Sequence, residues 1–121
     1  MIFITGGKAQ GKSTFAGTLK TPIVDDLEEK IRIWLEQGIQ EERDLLGKIE
    51  AHIIEVIDGT SVKSVWEEQV ILVSREVGCG VVPIDKQESI WREKTGRIAC
   101  KLAEYATEVY KMESGIAVRI K

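Results

Sequence analysis

The sequence predicts an α/β fold in which a mostly parallel β-sheet is flanked by helices and ends in a short pair of strands. Apolar, β-branched runs alternate with stretches of helical periodicity, as they do when helices join parallel strands. Residues 70–74, Val-Ile-Leu-Val-Ser, form a continuous aliphatic run typical of a central strand covered on both faces. A second apolar run, residues 2–5, leads directly into a glycine-rich segment.

The first elements are short. Residues 2–5 predict a strand, and residues 14–20, beyond the glycine-rich segment, predict a helix. A break at Thr21-Pro22 separates this helix from a minimal strand at residues 23–24.

Two further helices are predicted from apolar residues spaced three or four positions apart. One covers residues 27–37, ends before Gly38 and has an apolar face of Leu27, Ile31, Trp34 and Leu35. The other covers residues 41–57, with Leu45, Ile49, Ile53 and Val56 on one side.

The C-terminal half predicts a long helix followed by two strands. Asp85 is the expected N-cap of a helix over residues 86–108, whose apolar stripe is Trp91, Ile98, Leu102 and Ala106. Residues 109–112 and 116–120 then predict two short strands around a turn at Gly115.

Composition limits the classes of protein to consider. A chain of 121 residues predicts a single domain, residues 1–121. Because 17 basic and 20 acidic residues leave a net charge of −3, we expect no nucleic-acid partner. No apolar run approaches the roughly 20 residues of a membrane span, and the immediate entry into a strand leaves no signal peptide. Cys79 and Cys100 lack metal-site or CxxC spacing, which predicts reduced thiols in a cytoplasmic protein.

Residues 6–13 match the phosphate-loop pattern G-x-x-x-x-G-K-[ST], between a predicted strand and a predicted helix. The glycines permit a tight turn whose N–H groups surround a phosphate, and the helix that follows adds unpaired donors. Lys12 is expected to reach the β- and γ-phosphates, and the Ser13 hydroxyl to bind Mg²⁺. The fold is therefore predicted to be P-loop NTPase-like; the alternative is a glycine-rich turn without a ligand.

This motif predicts a nucleoside triphosphate, ATP or GTP, together with Mg²⁺. The residues expected to contact the nucleotide are Gly6, Gly7, Lys8, Ala9, Gln10, Gly11, Lys12, Ser13 and Thr14.

Phosphate loops work with a carboxylate that holds Mg²⁺ through water, usually at the end of a neighbouring strand. Asp25 follows the strand at residues 23–24 and is the predicted partner, with catalytic and metal-binding roles. Asp26 is the second candidate, and its alternative role is to cap the helix that begins near Leu27.

Two other residues have a functional and a structural interpretation. Helical spacing places His52 on the apolar side of its helix, where a packed role is favoured over a nucleophile or general base. Cys79 lies in a glycine-rich loop without a basic neighbour and is interpreted as a small apolar side chain.

Residues 74–121 resemble a known family. The stretch Glu-Val-Gly-x-Gly-Val-Val-Pro at residues 76–83, the triplet Gly-Arg-Ile at residues 96–98 and the ending Ser-Gly-Ile-Ala-Val-Arg-Ile-Lys at residues 114–121 are similar to the bifunctional adenosylcobinamide kinase / adenosylcobinamide-phosphate guanylyltransferase family of cobalamin biosynthesis. The phosphate loop and the strand that ends at Asp25 also match that family's pattern.

The resemblance implies phosphorylation of adenosylcobinamide, with Glu76 and Arg97 lining the acceptor or nucleotide side. The resembling family assembles through its helices, so a homo-oligomer is one alternative, and the oligomeric state stays open. The family's segment with the guanylylated histidine, which lies between the first helix and the Asp25 strand, is missing here, so guanylyl transfer is not expected. Two alternatives stay open: a nucleotide-binding or regulatory protein with little catalysis, and a small kinase for another acceptor.

Overall fold

The computed structural model of the chain describes residues 1–6, 21–57, 64–76 and 85–121. The helix predicted at residues 14–20, most of the phosphate loop and the loop with Cys79 lie outside these residues. The described part contains a five-stranded sheet in the order β2-β3-β1-β4-β5. The strands are β1 Ile2–Gly6, β2 Ile23–Val24, β3 Ile71–Arg75, β4 Glu108–Glu113 and β5 Ile116–Arg119.

The sheet is parallel except at its C-terminal edge. Strand β1 pairs in parallel with β3 on one side and with β4 on the other, and β2 extends the sheet beyond β3. Strand β5 turns back on β4 through Ser114 and Gly115, both with positive φ, as in a tight hairpin turn. The predicted α/β class and the final strand pair are confirmed.

Three α-helices are described: α1 Leu27–Glu36, α2 Glu42–Ile57 and α3 Lys86–Tyr105, with a 3₁₀ turn at Val65–Glu67. They pack on one face of the sheet, where strand residues such as Phe3, Leu72 and Val109 join a single apolar cluster. The helical members buried there are Leu27, Ile31, Leu45, Ile49, Ile53, Trp91, Ile98 and Leu102. On the opposite face, Ile4, Ile71, Val73 and Met112 are also buried, so the sheet is covered on both sides.

Several boundaries and faces differ from the predictions. Val56 is 37% exposed rather than part of the apolar side, because the core-facing side of α2 continues from Ile53 to Ile57, which packs against the core cluster. Helix α3 ends at Tyr105, and Glu108 already belongs to β4, whose pairing with β1 competes successfully with helical propensity. No helix of the described residues has the length and apolar character that a membrane crossing would need.

The two predicted caps have different outcomes. The Asp85 carboxylate accepts the Gln87 N–H at 2.8 Å, which confirms it as the N-cap of α3. Asp26 occupies the N-cap position of α1, but it has left-handed backbone angles and its side chain makes no capping hydrogen bond. Its carbonyl oxygen instead accepts the Glu29 and Lys30 N–H groups. The predicted side-chain cap at Asp26 is therefore wrong.

Candidate functional site

The candidate site lies at the carboxyl edge of the parallel strands. Strands β1 to β4 run in the same direction, so Gly6, Val24, Arg75 and Glu113 end them along one edge. Ligands of open α/β sheets bind at this edge, beyond the strand ends. Gly6, the first residue of the phosphate-loop motif, is part of it, whereas residues 7–14 lie outside the described residues.

Gly6 is held between two neighbouring strands at close range. Its carbonyl oxygen accepts the Glu76 N–H at 2.6 Å, which ties the end of β1 to the residue after β3. On its other side, a Cβ at position 6 would lie only 2.8 Å from the Met112 carbonyl oxygen. Glycine is therefore required here by the close approach of β4, and the chain leaves the sheet at a fixed point.

Glu76 carries a carboxylate at the end of a strand that adjoins the start of the phosphate-loop motif. It follows β3, the immediate neighbour of β1, and its side chain is 37% exposed. Its Oε2 atom lies 3.8 Å from the Nζ atom of Lys111, a residue of β4. Because β1 lies between β3 and β4, this ion pair crosses the end of the strand from which the motif starts.

Asp25 follows a strand that lies two positions away from β1 in the sheet. Strand β2 does not adjoin β1, because β3 is inserted between them, and two strand spacings amount to about 10 Å. The expectation that Asp25 follows a strand next to β1 is therefore wrong. Its Oδ1 atom accepts the Asp26 N–H at 2.8 Å, and its carbonyl oxygen accepts Lys30 Nζ at 2.8 Å. Its role as a metal ligand stays a prediction.

A buried glutamate joins α1 to the same edge. Glu28, in the first turn of α1, is 4% exposed, and its Oε1 atom accepts the Arg75 N–H at 2.5 Å. Its carbonyl oxygen accepts the Trp91 indole N–H at 2.8 Å, and the Arg32 guanidinium lies 3.8 Å from the centre of that indole ring. These contacts fix the end of β3 against α1 and α3, and so fix the position of Glu76.

A cavity of about 270 Å³ opens beside Glu76, between α3 and the sheet. Thr5, Glu76 and Gly96 line it, and so does Thr95, whose buried Oγ1 atom has no hydrogen-bond partner in the described structure. The cavity exists because small residues of α3 face the sheet here. A ligand bound at the strand ends has room to extend into this cavity.

Two other predicted residues lie on helix surfaces. Arg97, on α3, is 56% exposed and pairs with Glu93 at 2.7 Å. The structure therefore does not bring it into contact with Glu76, and its role stays a prediction. His52 is half-buried in α2, and its Nδ1 atom lies 3.6 Å from Glu55 Oε2. The packed role favoured for His52 stays a prediction.

The donors at this edge suit Mg²⁺ bound together with a phosphate ligand. Among residues 1–6, 21–57, 64–76 and 85–121, no three histidine, cysteine or acidic side chains form a ready-made metal cluster. Mg²⁺ commonly uses only one or two carboxylates and takes its other ligands from water and phosphate oxygens. Glu76 at the strand end, and Asp25 beyond it, can supply such carboxylates.

The sequence analysis missed two residues of this site. Lys111 has a visible signal, because it places a charge within the predicted strand at residues 109–112. Glu28 has no such signal in the sequence, since it is a glutamate like the exposed Glu29 that follows it.

A mostly parallel sheet whose first strand runs into a phosphate-loop motif defines a P-loop NTPase-like α/β protein. Within this class the chain belongs to the cobinamide kinase / cobinamide phosphate guanyltransferase family, whose sequence model matches residues 18–120. The phosphate-loop motif at residues 6–13 lies upstream of that match and is a separate observation.

Two curated relatives share part of the chain. The bifunctional adenosylcobalamin biosynthesis proteins CobU of Salmonella typhimurium and of Escherichia coli are each 43% identical to it over 53 residues. The aligned region covers 44% of this chain and 29% of each relative. The similarity therefore spans under a third of the relatives' own length.

Proposed function

We propose that the chain transfers the γ-phosphoryl group of ATP or GTP to a hydroxyl group of adenosylcobinamide. The observation that carries this proposal is the position of Gly6: the phosphate-loop motif starts at the carboxyl end of a parallel strand flanked on both sides, beside the Glu76 carboxylate. Membership of the cobinamide kinase / cobinamide phosphate guanyltransferase family supports the choice of acceptor.

In the proposed reaction, the acceptor oxygen forms a bond to the γ-phosphorus while the bond to the β–γ bridging oxygen breaks, and a nucleoside diphosphate leaves. The backbone N–H groups of residues 7–14 bind the phosphates, and Lys12 stabilises the negative charge that develops on the transferred group. Ser13 and Asp25 would hold Mg²⁺, which would supply positive charge to the phosphates when bound. The hydroxyl proton passes to Glu76, the carboxylate next to the motif.

The proposed function does not include guanylyl transfer. That reaction in the family uses a histidine, and the single histidine of this chain is His52. It lies within α2, and it pairs with a glutamate of the same helix.

The first test is a steady-state kinase assay with adenosylcobinamide and radiolabelled ATP or GTP. The Lys12→Ala variant should lose roughly 10²–10³-fold in kcat, the usual effect of removing one group that stabilises transition-state charge. Lys48→Ala, an exposed lysine of α2, is the matched control and should retain wild-type turnover. Equal activity in the Lys12→Ala and wild-type proteins would refute the assignment.

A nucleotide-binding protein without catalysis is the second candidate, and the short aligned region favours it. Isothermal titration calorimetry with ATP and GTP, in parallel with the kinase assay, separates the two. Binding with turnover supports the kinase, whereas binding without phosphate transfer to adenosylcobinamide selects the second candidate. Mass spectrometry of products from a mixed metabolite pool then shows whether another acceptor is used.

A further inference from the structure

Lys111 is placed across the end of the phosphate-loop strand. It lies in register with Thr5 of β1, one residue before the motif begins. It also shares a sheet face with Val109, which packs against the helices, and so with Phe3 and Thr5 of β1. From β4 its side chain reaches Glu76 beyond β3, and the ammonium group therefore lies over the point at which the chain leaves β1.

The ammonium group is shared between two carboxylates rather than fixed to one. Lys111 Nζ is 3.8 Å from Glu76 Oε2 and 3.6 Å from Glu113 Oε1, both longer than a charged hydrogen bond of about 2.8 Å. The lysine side chain is 39% exposed, and ion pairs of this kind contribute little to stability. A more highly charged anion can therefore take the ammonium group from these partners.

We propose that Lys111 is a second phosphate-binding cation, which acts with Lys12 on the triphosphate. This inference rests on the proposed function and deepens it. When the triphosphate binds, the Lys111 ammonium group moves from Glu76 to a phosphate oxygen, for which a compact ammonium ion is well suited. Its departure leaves the Glu76 carboxylate without its counter-ion and available to accept the proton of the acceptor hydroxyl.

The competing explanation is that Lys111 only offsets the charges of Glu76 and Glu113, which would otherwise repel an anion. Both explanations predict weaker nucleotide binding when the lysine is removed. The two explanations differ once both glutamates are neutral. A counter-ion then has no function, so removing Lys111 should not change nucleotide binding. A phosphate contact would still be lost on removing Lys111, so binding should weaken.

The test measures the dissociation constants of MgATP and MgGTP by calorimetry with the full chain. Lys111→Met should weaken binding roughly tenfold to a hundredfold, as expected for loss of a charged hydrogen bond, and Lys111→Arg should restore most of it. Lys101→Met is the matched control, because Lys101 is a similarly exposed lysine paired with a glutamate at 3.7 Å on α3. It should bind as the wild type does.

The decisive comparison introduces Lys111→Met into a Glu76→Gln/Glu113→Gln background. Binding that is weakened again by tenfold or more supports a phosphate contact, and binding that is unchanged overturns it in favour of a counter-ion. Circular dichroism melts confirm that each variant is folded, and Lys111→Gln replaces Lys111→Met if the latter is not. If the wild type binds neither nucleotide, the proposed function fails as well; if it binds both and Lys111→Met is neutral, only this inference fails.

Discussion

Replacing Glu28 should destabilise the fold far more than replacing the glutamate next to it. The Glu28 carboxylate is buried at the start of α1 and accepts the Arg75 N–H at 2.5 Å. In Glu28→Ala this N–H group loses a charged acceptor, which costs about 1.5–3 kcal/mol. Loss of a negative charge in the first helical turn adds about 0.3–1 kcal/mol. The variant no longer buries a carboxylate, and this gain offsets part of the two costs. We therefore expect the free energy of unfolding to fall by about 2–3 kcal/mol.

The matched control for this substitution is Glu29→Ala. Glu29 occupies the same helical turn, but its side chain is 52% exposed and pairs with Arg32 at 3.6 Å. Exposed pairs of this kind contribute less than about 1 kcal/mol. Glu28→Gln is an intermediate case, because its amide oxygen can still accept the Arg75 N–H although the charge is lost.

The assay is urea unfolding followed by circular dichroism, from which the free energy of unfolding is extrapolated to water. The order of stability should be wild type and Glu29→Ala, then Glu28→Gln, then Glu28→Ala. If Glu28→Ala and Glu29→Ala unfold with free energies within about 0.5 kcal/mol of each other, the buried hydrogen bond does not hold the end of β3 as argued.

Two further predictions concern the strands around the site. Gly6→Ala should destabilise the protein by about 1–3 kcal/mol in the same assay, because the new methyl group would meet the Met112 carbonyl oxygen at 2.8 Å; a neutral result would contradict this close approach. The hydrogen bond from Tyr110 to Glu108 at 2.9 Å raises the pKa of the tyrosine above 10.0. Since this pKa is raised in the fold, the stability it adds is present below pH 10 and disappears as the pH rises further. Ultraviolet titration of a chain that keeps only this tyrosine should show a lower pKa after Glu108→Gln, and an unchanged pKa would exclude the hydrogen bond as its cause.

Much of the fold could be predicted from local sequence signals. The aliphatic run of β3, the Asp85 cap of α3 and the hairpin at Gly115 depend on residues only a few positions apart, and all three are confirmed. The predicted end of α3 is too late, because the pairing of β4 with β1, rather than helical propensity, decides where the helix ends.

The predicted site starts at Gly6, and it stays a prediction; the structure adds neighbours of Gly6 that the sequence analysis did not name. Gly6 could be identified because the spacing of glycines, lysine and serine encodes the turn that a phosphate requires. The strand neighbours of that segment could not be identified in the same way. Asp25 and Glu76 both follow apolar strands, and only the strand order shows that Glu76 adjoins β1.

The sequence by itself determined the α/β class, the strand from which the phosphate-loop motif begins and the local ends of most elements. Only the tertiary structure decided that β3 separates β1 from β2, that Glu28 is buried while Glu29 is exposed, and that Lys111 reaches Glu76 across β1. The physical reason is distance along the chain. Propensity, periodicity and caps act over a few residues, whereas strand order and burial arise from contacts between segments tens of residues apart.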